Sequence, residues 1–71
     1  MTLPVKNNIR ELRKKHGMTQ EELAANLGVT RQTIIAIENN NYNPSLELAM
    51  KIGALFNLHV DEIFTLESKE S

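Results

Sequence analysis

The sequence predicts an all-α domain of five helices, and three observations carry the prediction. Apolar residues recur at intervals of three and four along most of the chain, the period of a helix with one buried face. Thr19, Thr30 and Ser45 stand just ahead of such stretches, where a side-chain oxygen can accept an unpaired backbone N–H. Gly17, Gly28 and an asparagine cluster stand just after them, where a left-handed residue can stop a helix. A chain of 71 residues buries only about 60% of the surface that unfolding exposes, so it reads as one domain, 1–71, with its core between about 6 and 64. Burial and chain entropy nearly cancel at this size, and association with a second copy is expected.

The first helix is expected from about Lys6 to His16, with Ile9 and Leu12 as a narrow buried stripe among charged residues and Gly17 as its stop. His16 suits the end of that helix, where a cation and the helix dipole agree. Thr19 begins the second helix with Glu22 three residues on, a capping box, and Leu23, Ala24 and Leu27 form its inner face. Gly28 closes it, Val29 turns inward and Thr30 caps a third helix running to about Asn39. So short a glycine-containing connection holds two helices at a steep angle, as in a helix-turn-helix, and the small Ala24 lets them approach.

Residues 39–44 make a polar loop in which Asn39 or Asn40 takes the left-handed conformation. Ser45 caps a fourth helix without a completed box, because Leu48 stands where a carboxylate would be, and Leu46, Ala49, Ile52 and Phe56 supply its core face. His59 to Ile63 suits a short fifth helix. Leu3, Val5, Phe64 and Leu66 alternate with polar residues or proline, the pattern of a short terminal antiparallel β pair that Pro4 confines to an edge.

Composition excludes several classes. There is no cysteine for a disulfide or a thiolate zinc site, and the start MTLPVKNN lacks the run of about 7 to 15 apolar residues that marks a secretory leader. No apolar run approaches the roughly 20 residues of a membrane span, so a cytoplasmic protein without a membrane partner is expected. His16 and His59 are far apart, and no serine has a base and an oxyanion loop beside it, which argues against an enzyme, a metal site or a cofactor. No small-molecule ligand is evident. Net charge is −1, but it is polarised: residues 1–35 carry +3 and residues 36–71 carry −4. A basic end can face phosphate, and an acidic end should not.

Placed at about 100° per residue, the third helix has Ile34, Ile37 and Glu38 inside and Gln32, Ile35, Ala36 and Asn39 outside, with Arg31 and Thr33 at the flanks. A merely solvated face would be rich in Lys and Glu, whereas this one is uncharged between Arg31 and Glu38. Arginine can fork to guanine, glutamine to adenine, and an aliphatic group can meet the thymine methyl, which makes Arg31, Gln32, Ile35 and Ala36 the base-reading candidates. Gln20, Thr30, Thr33, Asn39, Asn41, Tyr42 and Asn43 are the candidates for the DNA backbone, Gln20 through its side chain or through the helix N-terminus.

The stretch TQEELAANLGVTRQTIIAIENNNYNPSLELAMKIGALF resembles the helix-turn-helix of the Cro/C1-type, phage repressor-like transcriptional regulators, and the likeness runs from about Lys6 to Phe64. Gln20, Leu23, Ala24, Gly28, Val29, Ile34, Ile37 and Glu38 fall where that family places them, while VTRQTIIAIE, YNPSLELA and DEIF are similar to very small stand-alone repressors. The resemblance implies five helices, the third in the major groove, and a homodimer on an operator of double-stranded DNA with two half-sites. It further implies a partly buried Arg13–Glu38 ion pair and terminal strands beside a dimer seam that includes Leu55, Phe64 and Leu66. Two departures stand out: Ile35 replaces a small residue, and Asn40–Asn41 replaces the usual Gly-Lys, which removes one charge from the phosphate contact. The competing expectation is an antitoxin or protein-interaction module that uses the acidic half and an exposed Leu48, Met50 and Leu55. The absence of a partner-wrapping tail after Ser71 favours the repressor.

Overall fold

The computed structural model describes residues 5–66. Their order is β1 (Val5–Asn7), α1 (Ile9–Lys15), α2 (Gln20–Leu27), α3 (Arg31–Glu38), α4 (Leu46–Phe56), α5 (Val60–Ile63) and β2 (Phe64–Leu66). β1 and β2 form a two-stranded antiparallel sheet in which Val5 faces Leu66, Lys6 faces Thr65 and Asn7 faces Phe64. The expected terminal β pair is therefore present, formed within one chain; Leu3 and Pro4 lie outside the described residues.

The first helix starts later than its apolar spacing suggests. Asn7 is the reason, because its Oδ1 accepts the Ile9 N–H at 3.1 Å and its backbone belongs to the ladder. Lys6 and Asn7 are thus strand residues, and α1 spans only Ile9–Lys15. The remaining starts follow the expected chemistry. Thr19 Oγ1 accepts from the Glu22 N–H at 3.0 Å while Glu22 Oε1 accepts from the Thr19 N–H at 2.9 Å, the reciprocal box. Ser45 accepts from the Leu48 N–H at 3.1 Å, and Glu62 Oε1 accepts the His59 N–H at 3.0 Å.

Four helices end in the same way. Gly17, Gly28, Asn40 and Asn57 have φ of 68°, 73°, 61° and 58°. Each donates its N–H to the carbonyl three residues back, and the next residue donates to the carbonyl five back. This is the Schellman stop, usually built on glycine; asparagine takes the left-handed turn at two of the four. Met18, Val29 and Leu58, the residues that follow three of these turns, fold back onto the core. Asn41, which follows the fourth, is exposed.

Ile9, Leu23, Leu27, Ile34, Ile37, Ile52, Phe56 and Ile63 form one hydrophobic core, capped by Leu12, Met18, Val29, Leu58 and Phe64. His16, at the end of α1, lays its ring on Phe56 with centroids 5.1 Å apart. The core face of α4 differs from the expected one. Leu48, Ala49, Ile52, Gly53 and Phe56 point inward, whereas Leu46 is 73% exposed. Leu46 occupies the first turn, about 90° away from the centre of that inward stripe, where no other element among the described residues reaches over it. Leu48, expected on the surface, lies at the stripe's edge and is buried.

Gly53 is a packing position: a Cβ there would stand 2.8 Å from the Leu58 carbonyl oxygen, which belongs to the stop of α4. Gly53→Ala is expected to destabilise the fold by about 1–3 kcal/mol in urea unfolding. Gly28→Ala meets no atom within 4 Å and keeps only the strain of a left-handed alanine, so a smaller loss, about 1 kcal/mol, is expected in the same titration.

Candidate nucleic-acid interface

α2 and α3 are joined by Gly28, Val29 and Thr30, and the left-handed Gly28 turns the chain within that span. Thr30 is in extended conformation, which lets its Oγ1 accept the Thr33 N–H at 3.2 Å. The Thr30 and Thr33 hydroxyls also lie 3.1 Å apart, so one donates to the other and a single O–H of the pair is left to point elsewhere. Ile34, Ile37 and Glu38 are the buried face of α3. Arg31 and Gln32 are exposed and Ile35 and Ala36 half-buried, so none of the four base-reading candidates belongs to the buried face.

The backbone candidates lie around the outward side of α3, from the start of α2 to the segment beyond the end of α3. Thr19, Gln20 and Glu21, at the start of α2, share an open groove of about 660 Å³ with Arg13, Met18 and Arg31. Gln20 Nε2 donates to Glu38 Oε1 at 3.2 Å, which turns one of its amide hydrogens inward and leaves its backbone N–H, at the helix start, as the contact for an anion. Beyond the end of α3, Asn41, Tyr42 and Asn43 are exposed, Tyr42 by 49%. Thr33 and Tyr42 line one hollow together with Gly28 and Val29. Asn39 Oδ1 accepts from Arg10 at 2.9 Å, which leaves its amide hydrogens free to donate outward.

Glu38 holds these parts in place. Its side chain has no exposed surface, and it stands at the C-terminal end of α3, where the helix dipole disfavours an anion. Arg13 offsets both costs: its Nε lies 2.7 Å from Oε2 and a second guanidinium nitrogen 3.4 Å from Oε1. Arg13 also donates to the Met18 carbonyl at 3.0 Å, which fixes the guanidinium plane. The expected Arg13–Glu38 pair is therefore present, and Arg10 joins it at 3.5 Å. Burial alone would raise the Glu38 pKa; the hydrogen bonds from Arg13, Gln20 and Arg10 and the Arg13 charge outweigh it, so the carboxyl is held below the ordinary range.

Arg10 of this network, and Asn7, whose Nδ2 donates to the Ile37 carbonyl and to Asn40 Oδ1, were absent from the sequence-derived site. Arg10 lies three positions before Arg13, hence on the same face of α1, and that spacing is its only signal. Asn7 precedes a helix, as capping asparagines do, but its long-range partners leave no local trace. Of the dimer candidates, Leu66 is 67% exposed and Leu55 only 37%, while Phe64 packs partly against the core. Leu55 lines a hollow with Ala25, Asn26, Leu27 and Lys51, none of them on β2. Among the described residues no helix is long and apolar enough to cross a membrane.

A helix-turn-helix family profile matches residues 9–63. An HTH-type transcriptional regulator of Methanocaldococcus jannaschii is 50% identical over 66 residues, covering 93% of this chain and 100% of that one. One of Archaeoglobus fulgidus is 48% identical over 66 residues, covering 93% and 94% respectively. Among solved structures, a restriction-modification controller protein of Aeromonas hydrophila superposes with a TM-score of 0.68 at 31% identity, covering 76% of this chain and 78% of its own.

Arg13→Met should cost about 3–5 kcal/mol in chemical denaturation, because Glu38 stays buried without its main counter-charge. Acid unfolding offers a second check. A carboxyl whose folded pKa is depressed contributes stability above the unfolded value of about 4.3 and loses it as pH falls through the folded value. Stability from Glu38 should thus hold from neutrality to about pH 4.3 and decline below it, and Glu38→Gln should flatten that decline.

Proposed function

This chain belongs to the Cro/C1-type helix-turn-helix family of transcriptional regulators, and from that premise we propose that it is a repressor which binds an operator as a homodimer. The observation that carries this reading is the outward face of α3: one guanidinium, one amide and two aliphatic groups, uncharged between Arg31 and Glu38, on a helix anchored from behind by a buried carboxylate. Arg31, Gln32, Ile35 and Ala36 read base edges in the major groove. Gln20, Thr30, Thr33, Asn39, Asn41, Tyr42 and Asn43, around that face, hold the phosphates. The single domain 1–71 binds one half-site, and the second copy binds another about 34 Å away. Leu66, with Phe64 and Leu55, contributes to the seam. Such a repressor works in the cytoplasm, by occupying a promoter, without a cofactor.

A second reading draws on the two most exposed large apolar side chains of α4, Leu46 at 73% and Met50 at 59%, which give a protein partner an apolar foothold. On that reading the domain is an antitoxin or interaction module.

Selection from random duplexes should enrich an inverted repeat, and an unenriched pool would overturn the repressor reading. Arg31→Ala should cost about 1–3 kcal/mol and relax preference at one base pair, whereas Tyr42→Ala should weaken all sequences alike in a mobility-shift titration. Sedimentation should give a dimer at micromolar concentration; a monomer that dimerises neither alone nor on DNA would favour the interaction module.

A further inference from the structure

We propose that Asn7 is a positioning residue for the phosphate-facing loop, an inference that rests on the DNA-binding reading above. Its half-buried carboxamide is fully engaged. Oδ1 accepts the Ile9 N–H at 3.1 Å, and Nδ2 donates to the Ile37 carbonyl at 2.8 Å and to Asn40 Oδ1 at 3.2 Å. An asparagine spent in this way has little left for a ligand of its own and acts through the residues it holds.

What it holds is the stop of α3. The Ile37 carbonyl also accepts the Asn40 N–H at 3.0 Å, so both its lone pairs are engaged. Asn40 is the left-handed residue from which the chain departs toward Asn41, Tyr42 and Asn43. This is the one helix stop whose following residue is exposed, so no apolar side chain pins it from the far side. The Asn7 bonds, made across 30 and 33 residues, supply the missing constraint. Across the ladder Asn7 faces Phe64, and the neighbouring Asn8 N–H donates to the Ile63 carbonyl at 3.2 Å. One side chain therefore links the terminal sheet to the end of α3 and its loop.

Asn7→Asp tests the tie, because a carboxylate keeps the acceptor for Ile9 and removes both donors. In the free protein, the amide resonances of Asn40, Asn41 and Tyr42 should shift while those of Leu23 and Ala24 stay. On a duplex selected by the wild type, affinity should fall about five- to tenfold, the loss of one or two partly buried hydrogen bonds. Ethylation interference should weaken at the phosphates met by the loop, with guanine interference at Arg31 retained. Gly53→Ala, destabilised by its contact with the Leu58 carbonyl, should leave the wild-type pattern intact, whereas a merely structural role for Asn7 would give the two variants the same pattern. Unchanged Asn40–Tyr42 resonances, or wild-type affinity and interference, would overturn the proposal. If the wild type binds no duplex, the DNA reading fails and the free-protein resonances alone decide the tie. If Asn7→Asp does not fold, exchange of the Asn7 side-chain amide hydrogens in the wild type decides it: slow exchange that slows further on the duplex supports the tie, and exchange at the solvent rate overturns it.

Discussion

A carboxylate with no exposed surface at the end of α3 is the constraint on which the rest of this structure depends. An ion in such a place is tolerated only if its charge and lone pairs are met. Glu38 meets that demand by drawing in Arg10 and Arg13 from α1 and Gln20 from the start of α2. Two elements, α1 and α2, are thereby fixed to α3 in angle and register, whereas apolar packing alone would allow them to slide. The helix can then leave its outer side uncharged, because its orientation does not rely on that side.

The same arrangement explains the division of charge along the chain. Basic residues gather in α1, with Arg31 at the start of α3, and acidic ones gather in α5 and the segment after it. Arg13 is turned inward toward Glu38 and the half-exposed Arg10 joins the pair, so the local field at the α3 face is milder than the count of basic residues suggests. A molecule of this kind approaches a polyanion with one end and relies on shape and hydrogen bonding once there.

Much of this was legible because the decisive signals are local. Thr19 with Glu22, Thr30 before a polar turn of helix, and Gly28 where only a left-handed residue fits each announce themselves within four residues. Ile34 and Ile37 mark the inner face of α3 by period alone. The misreadings came from non-local causes. Lys6 and Asn7 belong to a strand because their partners lie some sixty residues on, at Thr65 and Phe64. Leu46 has the spacing of a core residue, but no other element among the described residues covers the first turn of α4, and Leu48 is buried by neighbours that periodicity does not see. Arg10 was counted only as charge, since its acceptor on Glu38 lies on a different helix.

The four left-handed stops have a consequence for how the protein can change over time. After Gly17, Gly28 and Asn57 the next side chain is built into the core, so an insertion or exchange there disturbs packing that every other residue shares. After Asn40 the chain enters solvent at once. Residues 41–43 can be replaced, lengthened or shortened while Leu23, Ile34 and Ile52 stay as they are. The fold thereby leaves one stretch of its surface open to mutational drift and selection, next to the helix whose outer side is equally unconstrained by the core.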